Sequence, residues 1–219
     1  MDNLRLRFSK TGRAVYISHL DLMRTMQRAF LRAGLQLKYS EGFNPHAQIS
    51  FALPLSVGMT SYCELMDFKL NDYISLAQIP LRLKKVLPEG ISVLEVYERE
   101  QKFKNIKWLD VDGSFEYDER SASDILPELM DFFSRDSIVI QKKTKSGMGE
   151  ADIAESIRSI TFDEGDGRIR LKAIISAQDP TLNPELLVSA LKQLSPQLAP
   201  DFAIFTRTQI YDSEMNVFR

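Results

Sequence analysis

Ser18-His-Leu-Asp-Leu-Met-Arg24 begins the stretch that decides the fold. It continues through a basic segment to Arg32-Ala-Gly34, then Tyr39-Ser-Glu-Gly-Phe-Asn-Pro-His46, and ends in Ile49-Ser-Phe-Ala-Leu53. Leu22, Met23, Met26, Phe30 and Leu31 recur at helical spacing, with Ser18 just ahead of them. A serine there accepts a hydrogen bond from a first-turn N–H. Asp21, three residues on, makes a variant of the capping box and suits the positive end of the helix dipole. Gly34 is placed to close the helix. Arg24, Arg28 and Arg32, four apart, form a ridge along another face.

Upstream, Leu4-Arg-Leu-Arg-Phe8 alternates as a half-buried strand does. Downstream, Leu35–Tyr39 alternates as a second strand. The turn Glu41–His46 follows, then Ile49–Leu53 as a third strand and Tyr62–Leu70 as a longer one. Ser75–Leu87 is read as a second helix, with Pro80 confined to its first turn, and Ile91–Tyr97 as the closing strand. This order is β-α-β-β-α-β, the ferredoxin-like unit, which packs two helices on one face of an antiparallel sheet.

The charge-dense run Glu98–Lys107 marks a boundary, and the second half repeats the order. Trp108–Tyr117 reads as strand, Ala122–Phe133 as helix and Ser137–Gln141 as strand. Lys142–Gly149 reads as a basic, glycine-containing loop and Asp152–Arg158 as a helical turn. Ile160–Phe162 and Ile169–Ile175 flank Asp163-Glu-Gly-Asp-Gly-Arg168, a hairpin signal. Asn183–Leu194 is a helix capped by Asn183 with Pro184 at its first position, and Phe202–Tyr211 the last strand. The expected fold is α+β: two tandem ferredoxin-like (βαββαβ) units with antiparallel sheets, residues 1–100 and 106–219.

The 219 residues are 44% hydrophobic and 26% charged, the balance of a soluble globular protein. No apolar run is long enough to span a bilayer, and the N-terminus lacks the apolar core of a signal peptide. A cytoplasmic location without membrane contact is expected. The single cysteine, Cys63, has no internal disulfide partner, and alone it holds neither an iron–sulfur cluster nor a structural zinc. Its neighbours, Tyr62-Cys-Glu-Leu-Met66, make it a core residue of a strand.

Charge is uneven. Residues 1–58 carry eight basic and three acidic side chains, hence +5, so the rest carries −7 of the net −2. Such a basic segment suits a polyanion or an acidic partner, and equally an ordinary solvated surface. Arg24, Arg28 and Arg32 are the leading candidates for phosphate, because guanidinium groups bind it bidentately; the same ridge can simply be hydrated. Lys142, Lys143 and Lys145 form a second basic element. Glu150 and Asp152 beside it are a weak carboxylate pair. Phe43, Tyr39 and Tyr16 can stack bases, although aromatic residues in or beside strands are more often core.

Both histidines lie in the deciding stretch. His46 is the candidate catalytic residue: a general acid or base or a ligand contact in its turn, or else a histidine bonded to a backbone carbonyl. His19, in the first helical turn, is the weaker candidate and suits capping or packing. No carboxylate stands at ligand spacing from either, so no metal is expected. Gly42 and Asn44 tolerate positive φ and Pro45 fixes the turn, which accounts for the shape of Glu41–His46 without chemistry. No phosphate-binding glycine motif or catalytic triad pattern is present.

Ser18–Arg24, Arg32-Ala-Gly34, Glu41-Gly-Phe-Asn-Pro-His46, Ser50-Phe-Ala-Leu-Pro-Leu55 and Val57-Gly58 resemble a radical-SAM-linked domain family of unknown function, encoded beside or fused to radical SAM proteins. The resemblance is sharp over residues 4–70 and looser beyond. It implies a radical SAM partner that carries the iron–sulfur cluster and S-adenosylmethionine, with no cofactor in this chain, which lacks the three-cysteine motif. A more distant, architectural similarity is to RAMP endoribonucleases. Their glycine-rich C-terminal motif is missing from Ile210–Arg219.

The expected role is a non-catalytic accessory of a radical SAM enzyme, presenting RNA through the basic face and the Glu41–His46 turn. The alternatives are a metal-independent RAMP-like endoribonuclease using His46, and a protein–protein adaptor whose arginine ridge docks an acidic surface.

Overall fold

The alternation of Leu4, Leu6 and Phe8 with Arg5, Arg7 and Ser9 becomes strand β1 (Leu4–Lys10) in the computed structural model, which describes residues 1–144 and 147–219. The chain divides into two units, Met1–Asn105 with Arg219, and Ile106–Phe218. Each is mixed α+β, an antiparallel sheet with few helices. No described helix is long and apolar enough to cross a membrane.

In the first unit β1 leads through a 3-10 turn (Gly12–Tyr16) into α1 (His19–Arg32). β2 (Ile49–Phe51), β3 (Thr60–Phe68), α2 (Gln78–Leu83) and β4 (Ile91–Glu98) follow. Its strands lie in the order β4-β1-β3-β2. Leu6 stands opposite Met66 on one side and Val96 on the other. Leu4, Leu6 and Phe8 are buried against Met26 and Phe30 of α1 and Ile79 and Leu83 of α2. The Phe30 ring meets Phe68 edge-on, with centroids 5.0 Å apart.

The caps of α1 form as the sequence indicates. Ser18 Oγ accepts from Asp21 N at 3.1 Å. At the other end Gly34 has φ +66°, Gly34 N donates to Leu31 O, and Leu35 N reaches back to Phe30 O at 2.9 Å. Those two bonds are the Schellman pair that only a left-handed residue permits. Met26 and Phe30 are 0% exposed, whereas Met23 is half-buried and Leu31 is 78% exposed, outside the apolar face assigned to it. Leu31 falls one position past Phe30, 100° round the helix from the core.

Leu35–Tyr39 is not a strand. Leu35 and Leu37 are buried, yet the backbone makes only isolated bridges, Leu37 with Leu70 and Tyr39 with Ala47. The place beside β3 belongs to Ile49–Phe51, with Ile49 opposite Phe68. This is the unit's second strand, so the segment read as a third strand stands in its place, and Thr60–Phe68 makes the hairpin-related third. Gly90 shows why the closing strand begins where it does. Its φ is +87°, and a Cβ there would lie 2.3 Å from Thr11 O, against the 3-10 turn.

In the second unit β5 (Trp108–Glu116) and α3 (Ala122–Phe133) are followed by β6 (Val139–Thr144) and β7 (Gly147–Asp152). Next come β8 (Ile157–Gly165), β9 (Arg168–Ser176), α4 (Glu185–Leu194) and β10 (Phe202–Tyr211). Its sheet order is β10-β5-β9-β8, and β6 with β7 makes a separate two-stranded ribbon. With that ribbon set aside, the element order and the relative strand order match the first unit. Asp166 and Gly167, at φ +55° and +73°, form the two-residue turn of the β8–β9 hairpin.

The basic segment read as a loop after Gln141 is ribbon instead, Lys142 opposite Gly149 and Lys143 opposite Met148. Asp152–Arg158 holds only a 3-10 turn, Ala154–Ser156, before β8 begins. The Asp152 carboxylate explains the change: it accepts from Ser137 Oγ, Ile138 N and Ala154 N at 2.6, 2.9 and 3.0 Å, closing the ribbon's base. α4 starts at Glu185, one residue later than a first turn at Pro184 implies. Asn183 Oδ1 accepts from Glu185 N at 3.2 Å.

Candidate functional site

Ser40 closes the motif loop at its neck. Its N donates to His46 O at 2.9 Å, its Oγ accepts from His46 N at 3.1 Å, and the same hydroxyl lies 2.9 Å from His46 Nδ1. Below the neck Tyr39 bridges Ala47, Gln48 N donates to Lys38 O, and Gln48 Nε2 donates to Tyr39 O at 3.1 Å. The segment is thus clamped at Ser40 and His46 while the residues between them face outward. Glu41, Gly42, Phe43, Asn44, Pro45 and His46 are all exposed, and the Phe43 ring is fully so at 111% of its reference area. Gly42 adopts φ +112°, the conformation for which a glycine is needed there.

Exposed aromatic residues on an otherwise polar surface are costly to hydrate and mark contact sites. Tyr39 and Tyr16 are exposed as well, at 57% and 73%, so none of the three aromatic residues has the core role usual for its type.

The two histidines keep separate company. His46 is tied to Ser40. His19 starts α1 and lays its ring edge-on to Phe51, centroids 5.3 Å apart, and Phe51 in turn packs on Phe8. His19 is exposed, and Phe51 is its ring contact. Among the described residues no cluster of three His, Cys, Asp or Glu side chains could hold a metal. Cys63 is buried on β3.

Tertiary structure sorts six of the eight cations of residues 1–58. Arg5 is completely buried, with Nε 2.6 Å from Asp67 Oδ1 and Nη2 3.0 Å from Oδ2. Its guanidinium also lies 4.3 Å from the centre of the Phe103 ring. Lys10 is buried too, its Nζ donating to Val15 O and Ile17 O at 3.2 and 3.0 Å. Burial pushes the Lys10 amine down, and the nearby Glu64 carboxylate opposes part of that shift. Lys38 pairs with Asp2 at 2.9 Å. Arg24, Arg28 and Arg32 are exposed along α1 as read. Arg24 approaches Asp21 at 3.5 Å and Arg32 donates to Val86 O at 3.1 Å, while Arg28 has no such engagement among the described residues. The buried Arg5–Asp67 pair and buried Lys10 escaped sequence reasoning. Arg5 sits between Leu4 and Leu6 in an alternating strand, where a basic residue between apolar ones reads as solvent-facing, and Lys10 ends that strand between Ser9 and Thr11.

On the ribbon of the second unit, Lys143 is exposed and Lys142 half-buried. Lys145 lies outside the described residues. Glu150 accepts from Gln141 Nε2, while Asp152 is spent on the ribbon base, so the two carboxylates do not act as a pair. Gln141 and Gln193 exchange bonds of 2.8 and 3.0 Å, which anchors the ribbon to α4.

No curated protein matches the sequence. Among solved structures, the chain is similar to one from a Cbf5-Nop10-Gar1 complex, at TM-score 0.49 and 10% identity, over 95% of this chain and 49% of that one. This chain thus spans about half the length of that one. It is also similar to an unknown protein from Galdieria sulphuraria, at TM-score 0.27 and 8% identity, over 94% and 98%. Likenesses this remote carry nothing about function. In sequence, residues 3–184 match a single family over most of the chain, and the chain therefore belongs to the DUF2344 family, described as uncharacterized proteins conserved in bacteria.

Proposed function

We propose that this protein is a non-catalytic accessory of a radical SAM enzyme that presents RNA to it. One observation carries the reading: the Phe43 ring stands fully exposed on a loop clamped at its neck. A held loop with a free ring is suited to stacking on an unpaired base, an interaction worth about 1–3 kcal/mol per base. The exposed Arg24, Arg28 and Arg32 supply phosphate contacts on the same unit, and Lys142 and Lys143 a second basic element on the other. The Ser40–His46 bonds favour shape over acid–base chemistry for His46. In this reading the iron–sulfur cluster and S-adenosylmethionine belong to the partner, and the location is cytoplasmic. The β4-β1-β3-β2 and β10-β5-β9-β8 orders support taking each unit as ferredoxin-like, a fold that hosts many functions and names none.

The test is binding of a single-stranded oligoribonucleotide, followed by anisotropy across a salt series. Phe43→Ala is expected to weaken it by about 5–100-fold. Arg24→Gln, Arg28→Gln and Arg32→Gln together are expected to lower the salt slope by about two units. Affinity and slope unchanged in both variants would sink the proposal. Wild-type cleavage that vanishes in His46→Ala, with melting temperature and affinity intact, would select the endoribonuclease. Capture of a partner protein without any RNA affinity, lost in the arginine variant, would select the adaptor.

A further inference from the structure

A cleft of about 210 Å³ opens on the first unit, on the side of the sheet away from α1, lined by Asn3, Gln48, Ser50, Asp67, Lys69 and Arg99 among others. Its floor is a charge network. The Asp67 carboxylate accepts from Arg5 Nε and Nη2 and, at 3.1 Å, from Arg99 Nη1. Arg99 Nη2 donates onward to Asn3 Oδ1 at 2.8 Å. One carboxylate is thus shared by two guanidinium groups, and the floor keeps a net charge of +1.

Lys69 adds a second positive charge at the wall. It makes no ion pair among the described residues: Asp2, whose carboxyl its charge helps to lower, is paired with Lys38. Ser50, exposed and directly opposite Asp67 in the β2–β3 register, contributes a hydroxyl. Gln48 connects the cleft to the motif loop, since it lines the one and bonds the neck of the other through Tyr39 O. An excess of about two positive charges, a hydroxyl and amide donors in a small open cleft match one tetrahedral dianion or diester, and match no cation.

We infer that this cleft is a phosphate subsite, taking a phosphate of the RNA whose base stacks on Phe43, either its terminal monoester or an internal diester. Arg99 and Arg5 hold the positive floor rigid, Lys69 supplies the mobile ammonium contact, and Ser50 donates a hydrogen bond. The choice of RNA rests on the reading above; the affinity for phosphate does not.

The experiment uses the full chain with three probes: an oligoribonucleotide bearing a 5′-phosphate, the same oligomer with a 5′-hydroxyl, and adenosine monophosphate. Wild type is compared with Lys69→Gln, Lys69→Glu and Ser50→Ala. Lys69→Gln is expected to weaken RNA binding by about 5–10-fold at low salt and to lower the slope by about one unit. Lys69→Glu is expected to do more, with the melting temperature of both unchanged. If wild type prefers the 5′-phosphate and Lys69→Gln abolishes that preference, the phosphate is the terminal monoester. Equal losses for both oligomers assign an internal diester. Adenosine monophosphate bound by wild type and not by Lys69→Gln, without RNA affinity, keeps the subsite and ends the RNA-presenting reading. Identical affinity and slope in wild type and all three variants overturn the subsite, and a continued effect of Phe43→Ala then leaves the RNA reading standing. Failure of wild type to bind any probe overturns both.

Discussion

Asp67→Ala is expected to destabilise the protein by about 3–5 kcal/mol, because it strands a buried cation. Arg5 is 0% exposed and gives two of its bonds to this carboxylate, and Arg99 leans on it as well. Without the acid, the Arg5 guanidinium keeps Gln101 O at 2.9 Å and the Phe103 ring, neither of which neutralises its charge. Chemical denaturation measures the loss. The double variant Arg5→Met with Asp67→Leu separates the cost of a stranded charge from the worth of the pair. Removing both ions removes their desolvation penalty too, so it should recover most of the stability. A loss below about 1 kcal/mol in Asp67→Ala, the value of an exposed pair, would mean that water reaches Arg5.

Phe30→Ala should cost about 3–5 kcal/mol by an unrelated route, the cavity left in the core of the first unit. Phe30 is 0% exposed, packs edge-on against Phe68, and sits one helical turn after Met26 over Leu4 and Leu6. Phe30→Leu, which keeps most of the volume, should lose much less. Leu31→Ala is the control: the next residue along the helix is mostly exposed, so its removal should stay within about 0.5 kcal/mol. Equal losses at Phe30 and Leu31 would mean that α1 is rotated so that Leu31 also faces the core.

The failure at Leu35–Tyr39 shows where reading from sequence stops. Its alternation was correct about burial, because Leu35 and Leu37 do point into the core. It was silent on backbone pairing, because the partner groups lie on β3 some 30 residues away, and there Ile49–Phe51 takes the place. The ribbon of the second unit failed in the opposite sense. Lysines and glycines carry a loop signature, yet Lys142 and Lys143 are strand, because the Gln141–Gln193 exchange and the Asp152 bonds hold the ribbon together from its base. Among the site residues, exposure of the arginine ridge and of the Glu41–His46 turn was legible. The standing-out of Phe43, Tyr39 and Tyr16 ran against the usual fate of aromatic residues beside strands.

Sequence alone determined the features whose chemistry is complete within a few residues. The Ser18–Asp21 cap, the Gly34 close of α1, the Asp166–Gly167 turn and the alternation of β1 are of this kind. Each depends on one local φ or on a donor and acceptor three to five positions apart, so the residues involved specify it wherever the chain goes. Tertiary structure alone decided which charges are buried. Arg5 and Arg7 are indistinguishable in the alternating strand, yet Arg5 is buried on an acid 62 residues away that it shares with Arg99. The same long-range contacts make the cleft beside Gln48. A buried charge is tolerable only where a partner neutralises it, and that partner is brought by the sheet register, which no local pattern encodes.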